Sequence, residues 1–136
     1  NTGGMGAYSP VPFIKKKQID EFLIKFVNPI INDLKINTIF FSGIFYAGFI
    51  ISKTGPKLLE INVRFGDSEA QAILPRLKTD LLELLLASSK GKLNQLKPPE
   101  WDNSYCINVV MASKGYPESY KKNTIININV ILKQIT

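Results

Sequence analysis

Hydrophobic and polar positions alternate along this chain with two different periods. From Lys15 to about Leu34 apolar residues fall at 19, 22, 23, 26, 27, 30 and 31, the spacing of one helical face, and Pro29 interrupts the run. This predicts a kinked or divided helix. From Gly43 to Ser52 the residues are mostly apolar and aromatic, Lys53-Thr54-Gly55-Pro56 forms a turn, and Lys57 to Phe65 returns. That pattern predicts an antiparallel hairpin. A helix is expected to begin at Asp67 and run to about Leu74, with Pro75 interrupting or restarting it. It continues from Lys78 to Ser89, with leucines on one broad face read as core, until Gly91. Lys97-Pro98-Pro99-Glu100 is the strongest boundary, because paired prolines oppose both helix and central strand. Beyond it, Tyr105 to Ser113 and Thr124 to Leu132 read as strands of a second unit, with Trp101 packing between the two. The expected organisation is therefore α+β, with one unit at 1–96 and another starting at 97–136.

The return strand carries the first candidate chemistry. Side chains alternate across a strand, so Glu60, Asn62 and Arg64 share one side while Ile61, Val63 and Phe65 share the other, which a core would accept. At roughly 3.3 Å per residue, the carboxylate and the amide lie about 7 Å apart along the backbone, close enough to converge on one ion. Mg²⁺ suits such a pair, since it takes one or two protein oxygens and leaves its other positions to water and substrate phosphates. One step further, the planar guanidinium of Arg64 is placed to grip a phosphoryl oxygen in two-pronged fashion. The same alternation also describes an amphipathic edge strand whose polar side is merely solvated.

A second candidate is Asn1-Thr2-Gly3-Gly4-Met5-Gly6-Ala7-Tyr8-Ser9-Pro10, a glycine-rich stretch whose exposed backbone N–H groups could cradle an anion. No Gly-Lys-Ser/Thr follows it and no strand precedes it, so it is neither of the familiar nucleotide loops. A flexible leader has the same composition.

Together these segments resemble the glycinamide ribonucleotide synthetase (phosphoribosylamine–glycine ligase) family of the ATP-grasp superfamily. The likeness covers most of the chain: Asn1 to Pro10, the strand pair from Gly43 to Arg64 with Tyr46-Ala47-Gly48, Arg64-Phe65-Gly66-Asp67-Ser68-Glu69-Ala70-Gln71, Lys78-Thr79-Asp80-Leu81, and Ala112-Ser113-Lys114-Gly115-Tyr116-Pro117. Glu-x-Asn-x-Arg is common to many ATP-grasp enzymes, whereas the extension to Arg-Phe-Gly-Asp below an Asn-Thr-Gly-Gly-Met-Gly stretch is specific to this family. One departure is Ser68, where the family usually has Pro. Asp67 would cap a helix whose first turn Pro suits; alternatively Ser68 is itself the cap, with Gln71 completing a capping box.

The resemblance implies a fold and a chemistry. The fold would be the C-terminal half of an ATP-grasp domain, an antiparallel sheet with helices, followed by the start of a small β-rich C-terminal domain. The reaction would be ATP-dependent ligation of glycine to 5-phosphoribosylamine through glycyl phosphate, yielding glycinamide ribonucleotide in de novo purine biosynthesis. Glu60 and Asn62 would bind Mg²⁺ or Mn²⁺, and Arg64 would stabilise the transferred phosphoryl group. Gly66 and Asp67 would sit near the substrate amine or ribose, Asp67 serving also, or instead, as a plain helix cap. Asn1, Thr2, Gly3, Gly4, Met5 and Gly6, with Tyr8, Ser9 and Pro10 behind them, would enclose the phosphoribosylamine. Family enzymes are far longer, so the chain is expected to be an internal fragment, inactive alone, whose partners are the remaining segments of the enzyme and the small molecules glycine, 5-phosphoribosylamine and ATP. Other readings are another ATP-grasp carboxylate–amine ligase, or a non-catalytic binding module.

Composition narrows the field without choosing within it. The 136 residues include no histidine and one cysteine, so there is no imidazole base, no ordinary zinc site and no internal disulfide, which fits a reducing cytoplasm. Cys106 lies in an apolar run and reads as a small buried residue. No apolar run is long enough to span a membrane. The net charge of +6, from 17 basic and 11 acidic residues, raises nucleic acid as a partner. However, the lysines are dispersed and not interleaved with aromatics, and Lys15-Lys16-Lys17 opens a helix whose outer face would be charged in any case. Neither nucleic acid nor membrane is expected as a partner.

Overall fold

In the computed structural model, described over residues 4–127, the chain forms two separate two-stranded antiparallel sheets joined by short helices. In chain order the elements are β1 (Gly6–Ser9), α1 (Lys16–Phe22), a π-helical stretch (Leu23–Val27), α2 (Asn28–Ile36), β2 (Tyr46–Ser52), β3 (Gly55–Asn62) and α3 (Glu69–Ile73). A 3₁₀ turn (Leu74–Arg76), α4 (Leu81–Ser89), a second 3₁₀ turn (Leu93–Gln95) and β4 (Cys106–Val109) follow.

The divided helix is present, and its division is gradual. Pro29 has no N–H to give to a carbonyl one turn back and its ring crowds that turn. The chain widens into the π-helical stretch just before it, with the Asn28 N–H reaching back to the Leu23 carbonyl, and resumes α geometry from Asn28. Phe22 and Phe26 then rest on Phe49 of β2, each at 5.4 Å between ring centroids. Lys16 pairs at 3.4 Å with Asp20 one turn along, on the exposed face.

The hairpin is also present, and its register holds a bulge. Tyr46 opposes Asn62, Ala47 opposes Ile61 and Gly48 opposes Glu60, but Phe49 opposes Leu58, so Leu59 is the extra residue. At the tip the Ser52 hydroxyl donates to the Gly55 carbonyl at 2.8 Å, and Gly55 takes φ +100, a conformation that favours glycine. β3 ends at Asn62 rather than continuing to Phe65, because residues 63–64 bend away.

β1 and β4 form the second sheet across a long sequence separation, with Gly6 opposite Val109 and Ser9 opposite Cys106. Residues 6–9 of the glycine-rich stretch are therefore strand rather than loop. The Asn108 side-chain oxygen accepts the Ala7 N–H at 2.9 Å, and the Val110 N–H donates to the Met5 carbonyl at 2.9 Å. α3 packs on both β1 and β4.

Several expectations shift at the helices. α3 starts at Glu69, so Ser68 rather than Asp67 holds the N-cap position, yet its hydroxyl makes no cap bond and the capping box does not form. Gln71 instead donates to the Asp67 carboxylate at 3.2 Å. α4 begins at Leu81, where the Asp80 carboxylate accepts the N–H groups of Leu82 at 2.7 Å and Glu83 at 3.4 Å. Residues 78–79 lie outside the helix and are tied to the linker, the Lys78 N–H donating to the Glu100 carbonyl at 2.9 Å. Within the expected second unit only Cys106–Val109 is strand, residues 124–127 are not, and the rest of that expected strand lies outside the described residues.

The expected core is largely open. Among the described residues only Gly66, Ser68 and Ala72 are buried. Ile61 and Val63, the apolar side of the return strand, are 38% and 70% exposed. The leucine face of α4 is not a filled core either: Leu81, Leu84 and Leu85 line an apolar groove of about 520 Å³ with Leu77, Phe65 and Trp101. Trp101 pairs with Leu77 through a bridge between the two segments. Cys106 is half-buried, its Sγ 3.5 Å from the Gln71 carbonyl.

Two substitutions test this packing. A Cβ at Gly6 would stand 2.7 Å from the Asn108 carbonyl oxygen, which is backbone and cannot swing aside. Gly6→Ala is expected to destabilise the fold by about 1–3 kcal/mol in a denaturant titration. Ser68 is 1% exposed and its hydroxyl has no partner. Ser68→Ala is expected to stabilise by about 1 kcal/mol in the same measurement, as an unsatisfied buried group is removed.

Candidate functional site

Residues directly opposite in an antiparallel pair project to the same side. The register therefore groups Glu60 and Asn62 on one face of the hairpin with Gly48 and Tyr46. The bulge is what permits this. Without Leu59 as an extra residue, the alternation would turn Leu58 onto the Glu60 side. With it, Leu58 and Ile61 share the other face with Phe49 and Ala47.

Glu60 lies over a gap left by glycine. A Cβ on Gly48 would meet the Glu60 Cγ at 3.1 Å, its Oε1 at 3.6 Å and the Tyr46 ring at 3.4 Å. Among the described residues neither the Glu60 carboxylate nor the Asn62 amide has a hydrogen-bond or ion-pair partner from another side chain. Glu60 is exposed and Asn62 half-buried. Both oxygens are thus available to a ligand.

Arg64 is not on the strand that was expected to present it. It sits in the bend after β3, exposed, with Nη1 donating to the Phe65 carbonyl at 2.8 Å. Its charge opposes the upward shift of the Tyr46 pKa.

The structure adds two residues that the pattern left without a role. The Tyr46 hydroxyl donates to Glu69 Oε1 at 3.1 Å, joining the metal-candidate face to the first residue of α3. Gly66 is the reason that contact exists: a Cβ there would collide with the Glu69 carboxylate and stand 3.0 Å from the Tyr46 ring. Burial chiefly, then the Glu69 carboxylate and its hydrogen bond, then the Glu60 charge, raise the Tyr46 pKa above its ordinary 10.0, while Arg64 lowers it. Neither pairing followed from the sequence: the register at the turn alone would set Tyr46 opposite Ile61, and only the bulge at Leu59 brings it opposite Asn62.

Asp67 is exposed beside this cluster and accepts the Gln71 amide. Gly4 and Met5 lead into β1, Gly6 lies in it, Tyr8 is 46% exposed, and Ser9 and Pro10 are half-buried. Asn1, Thr2 and Gly3 lie outside the described residues. Among the described residues no hydrogen bond or ion pair joins residues 4–10 to Glu60, Asn62 or Arg64; the two groups are connected through α3, which begins at the Tyr46–Glu69 contact and packs on β1.

The donor set suits a hard cation that keeps several water or substrate ligands. One carboxylate and one amide oxygen are offered, and no cluster of three His, Cys, Asp or Glu side chains is present among the described residues.

The model of the phosphoribosylglycinamide synthetase ATP-grasp (A) domain matches residues 1–70, which sets the chain among ATP-grasp proteins. It belongs to the phosphoribosylglycinamide synthetase family. A phosphoribosylamine–glycine ligase of Caldanaerobacter subterraneus is 51% identical over 122 residues, covering 90% of this chain and 29% of the relative. One from Agrobacterium fabrum is 45% identical over 124 residues, 91% of this chain and 29% of its own length. One from Vigna unguiculata is 44% identical over 128 residues, 93% and 41%. The chain thus spans well under half the length of these relatives.

A pH titration tests the Tyr46 contact. A group whose pKa is raised in the folded state contributes stability that is intact below its ordinary value, here 10.0, and is lost as pH rises through the folded value. Stability is expected to fall from about pH 10 upward, and Tyr46→Phe to remove the part of that slope due to Tyr46 while costing about 1 kcal/mol near neutrality. Denaturant midpoints collected across that range for both proteins decide it.

Proposed function

We propose that this chain supplies the metal-and-phosphate part of an ATP-dependent ligase that joins glycine to 5-phosphoribosylamine through glycyl phosphate, a step of purine biosynthesis. The observation that carries the reading is the hairpin face on which Glu60 and Asn62 stand together, unpartnered among the described residues, with Arg64 two residues further on in the bend. In this reading residues 1–96 are the C-terminal half of the ATP-grasp domain and residues 97–136 begin a small C-terminal domain. The β1–β4 pairing is then the seam between them.

Glu60 and Asn62 would hold a divalent cation, Mg²⁺ or Mn²⁺. Such an ion supplies charge neutralisation to the phosphates and a template for in-line transfer. The protein groups do the positioning. Arg64, free of any carboxylate partner among the described residues, is placed to draw negative charge on the transferred phosphoryl group. Tyr46 holds Glu69 against Gly66, which keeps the turn carrying Gly66 and Asp67 at a fixed distance from that face. From that turn Asp67 would accept a hydrogen bond from the substrate amine or ribose. Residues 1–10 would enclose the phosphoribosylamine, with backbone N–H groups meeting its phosphate.

The remaining segments of the enzyme, including those that would bind adenine, are the proposed partners of this chain, so ATP, glycine and the amine meet only in the complete protein. No helix among the described residues is long and apolar enough to cross a membrane.

In the full-length enzyme, Glu60→Ala and Asn62→Ala are each expected to lower kcat by about two to three orders of magnitude, the loss of several kcal/mol of metal-borne stabilisation. Circular dichroism and the thermal midpoint should stay unchanged. Full activity in both variants removes the metal assignment. Turnover with bicarbonate in place of glycine would point to another ligase of the same superfamily.

A further inference from the structure

One guanidinium holds together three separated parts of the chain. Arg76, at the end of the 3₁₀ turn after α3, donates from Nε to the Ser104 carbonyl at 2.8 Å, from Nη2 to the Asp102 carbonyl at 2.8 Å and from Nη1 to the Ser9 hydroxyl at 2.6 Å. Its own carbonyl accepts the Asp102 N–H at 2.7 Å. The neighbouring residues repeat the connection: the Glu100 N–H donates to the Thr79 hydroxyl at 2.8 Å, and Lys78 meets the Asp102 carboxylate at 3.7 Å.

Segments 76–79 and 100–104 are therefore fastened by main-chain bonds that do not need the Arg76 side chain as a whole. What the side chain alone adds is Ser9. That residue ends β1, directly before Pro10, at the exit of the stretch proposed above to enclose the phosphoribosylamine. β4 pairs with all of β1, Ser9 included, and the Val110 N–H holds Met5; the Arg76 contact ties the strand's last residue from outside the sheet as well. A planar fork with donors in three directions satisfies two carbonyls and a hydroxyl at once, which an ammonium on a flexible stem does not do.

The acceptors are all neutral. Among the described residues Arg76 has no carboxylate partner, although it is only half-exposed, so its positive charge is left uncompensated at the base of that stretch. Charge held in a partly dry place without a counter-ion favours an anion nearby.

We propose that Arg76 is a positioning residue for the phosphate-bearing amine substrate: through Ser9 it fixes the end of β1, and its unpaired charge favours the substrate phosphate. The inference rests on the ligase reading above. It concerns one substrate of three, which makes it separable from a purely structural role.

The experiment is steady-state kinetics of the full-length enzyme, with 5-phosphoribosylamine, ATP and glycine varied in turn. Ser9→Ala removes only the hydroxyl and leaves the two carbonyl contacts, and Arg76→Lys keeps the charge without the fork. Each is expected to raise KM for phosphoribosylamine about tenfold while KM for ATP and glycine moves less than about twofold. The double variant should be no worse than about the more severe single one, as for two residues sharing one interaction. Equal changes in all three KM values, unchanged values, or fully multiplicative effects overturn the proposal. An unsubstituted enzyme that turns over without phosphoribosylamine overturns the ligase reading instead, and this proposal with it.

Discussion

The contact between Tyr46 and Glu69 depends on the hairpin register, and the arrangement of the candidate site depends on both. Because Gly48 faces Glu60, the carboxylate has room beside the Tyr46 ring. Because Gly66 lacks a side chain, Glu69 can approach that ring from the other direction. Two glycines thus flank one tyrosine, and the tyrosine links the strand that carries the proposed metal ligands to a helix that leads towards β1. A side chain at Gly66 would push Glu69 away and sever that link. The raised pKa of Tyr46 follows from the same crowding, chiefly because its hydroxyl is partly buried and then because its anion would form next to two carboxylates.

Alternation from Lys57 to Phe65 put Glu60 and Asn62 on one side, and the hairpin keeps them there. The means was less visible. Leu58 and Leu59 are consecutive apolar residues, which a regular strand would point to opposite faces, and the bulge at Leu59 resolves the conflict. Arg64 could not be placed by alternation because the strand stops at Asn62, and nothing in Val63-Arg64-Phe65 marks the bend. Capping residues behaved unevenly for a physical reason. Asp80 caps α4 with its carboxylate free to turn towards two N–H groups, whereas the Ser68 hydroxyl is buried where no donor or acceptor reaches it. The β1–β4 pairing was illegible, since about a hundred residues separate the partners and four residues of each carry too little pattern to declare a mate.

Periodicity describes the chemistry of a face and is silent about what covers it. The leucines of α4 and the apolar side of β3 carry the pattern of core residues, yet Leu82, Leu59 and Val63 are 62%, 65% and 70% exposed. Apolar faces this extensive are of the kind that interaction sites or ligand grooves present. They support the proposal that further segments of the enzyme close over the hairpin and α4.

α3 shows how a thinly packed chain can still hold distant side chains at set distances. Five residues of helix are too few to persist by backbone hydrogen bonds alone. Each end is instead fastened from outside, Glu69 by Tyr46 and the following turn by Arg76. Between them Ala72 is the helix's buried residue, and its small side chain lets the helix lie close. The Cys106 thiol on the Gln71 carbonyl adds a weak third tie. The metal-candidate face and the end of the substrate stretch thus connect to opposite ends of one short rigid element. A change in either clamp would shift one group relative to the other without touching a ligand, which is why the two clamps, rather than the core, set the geometry of this site.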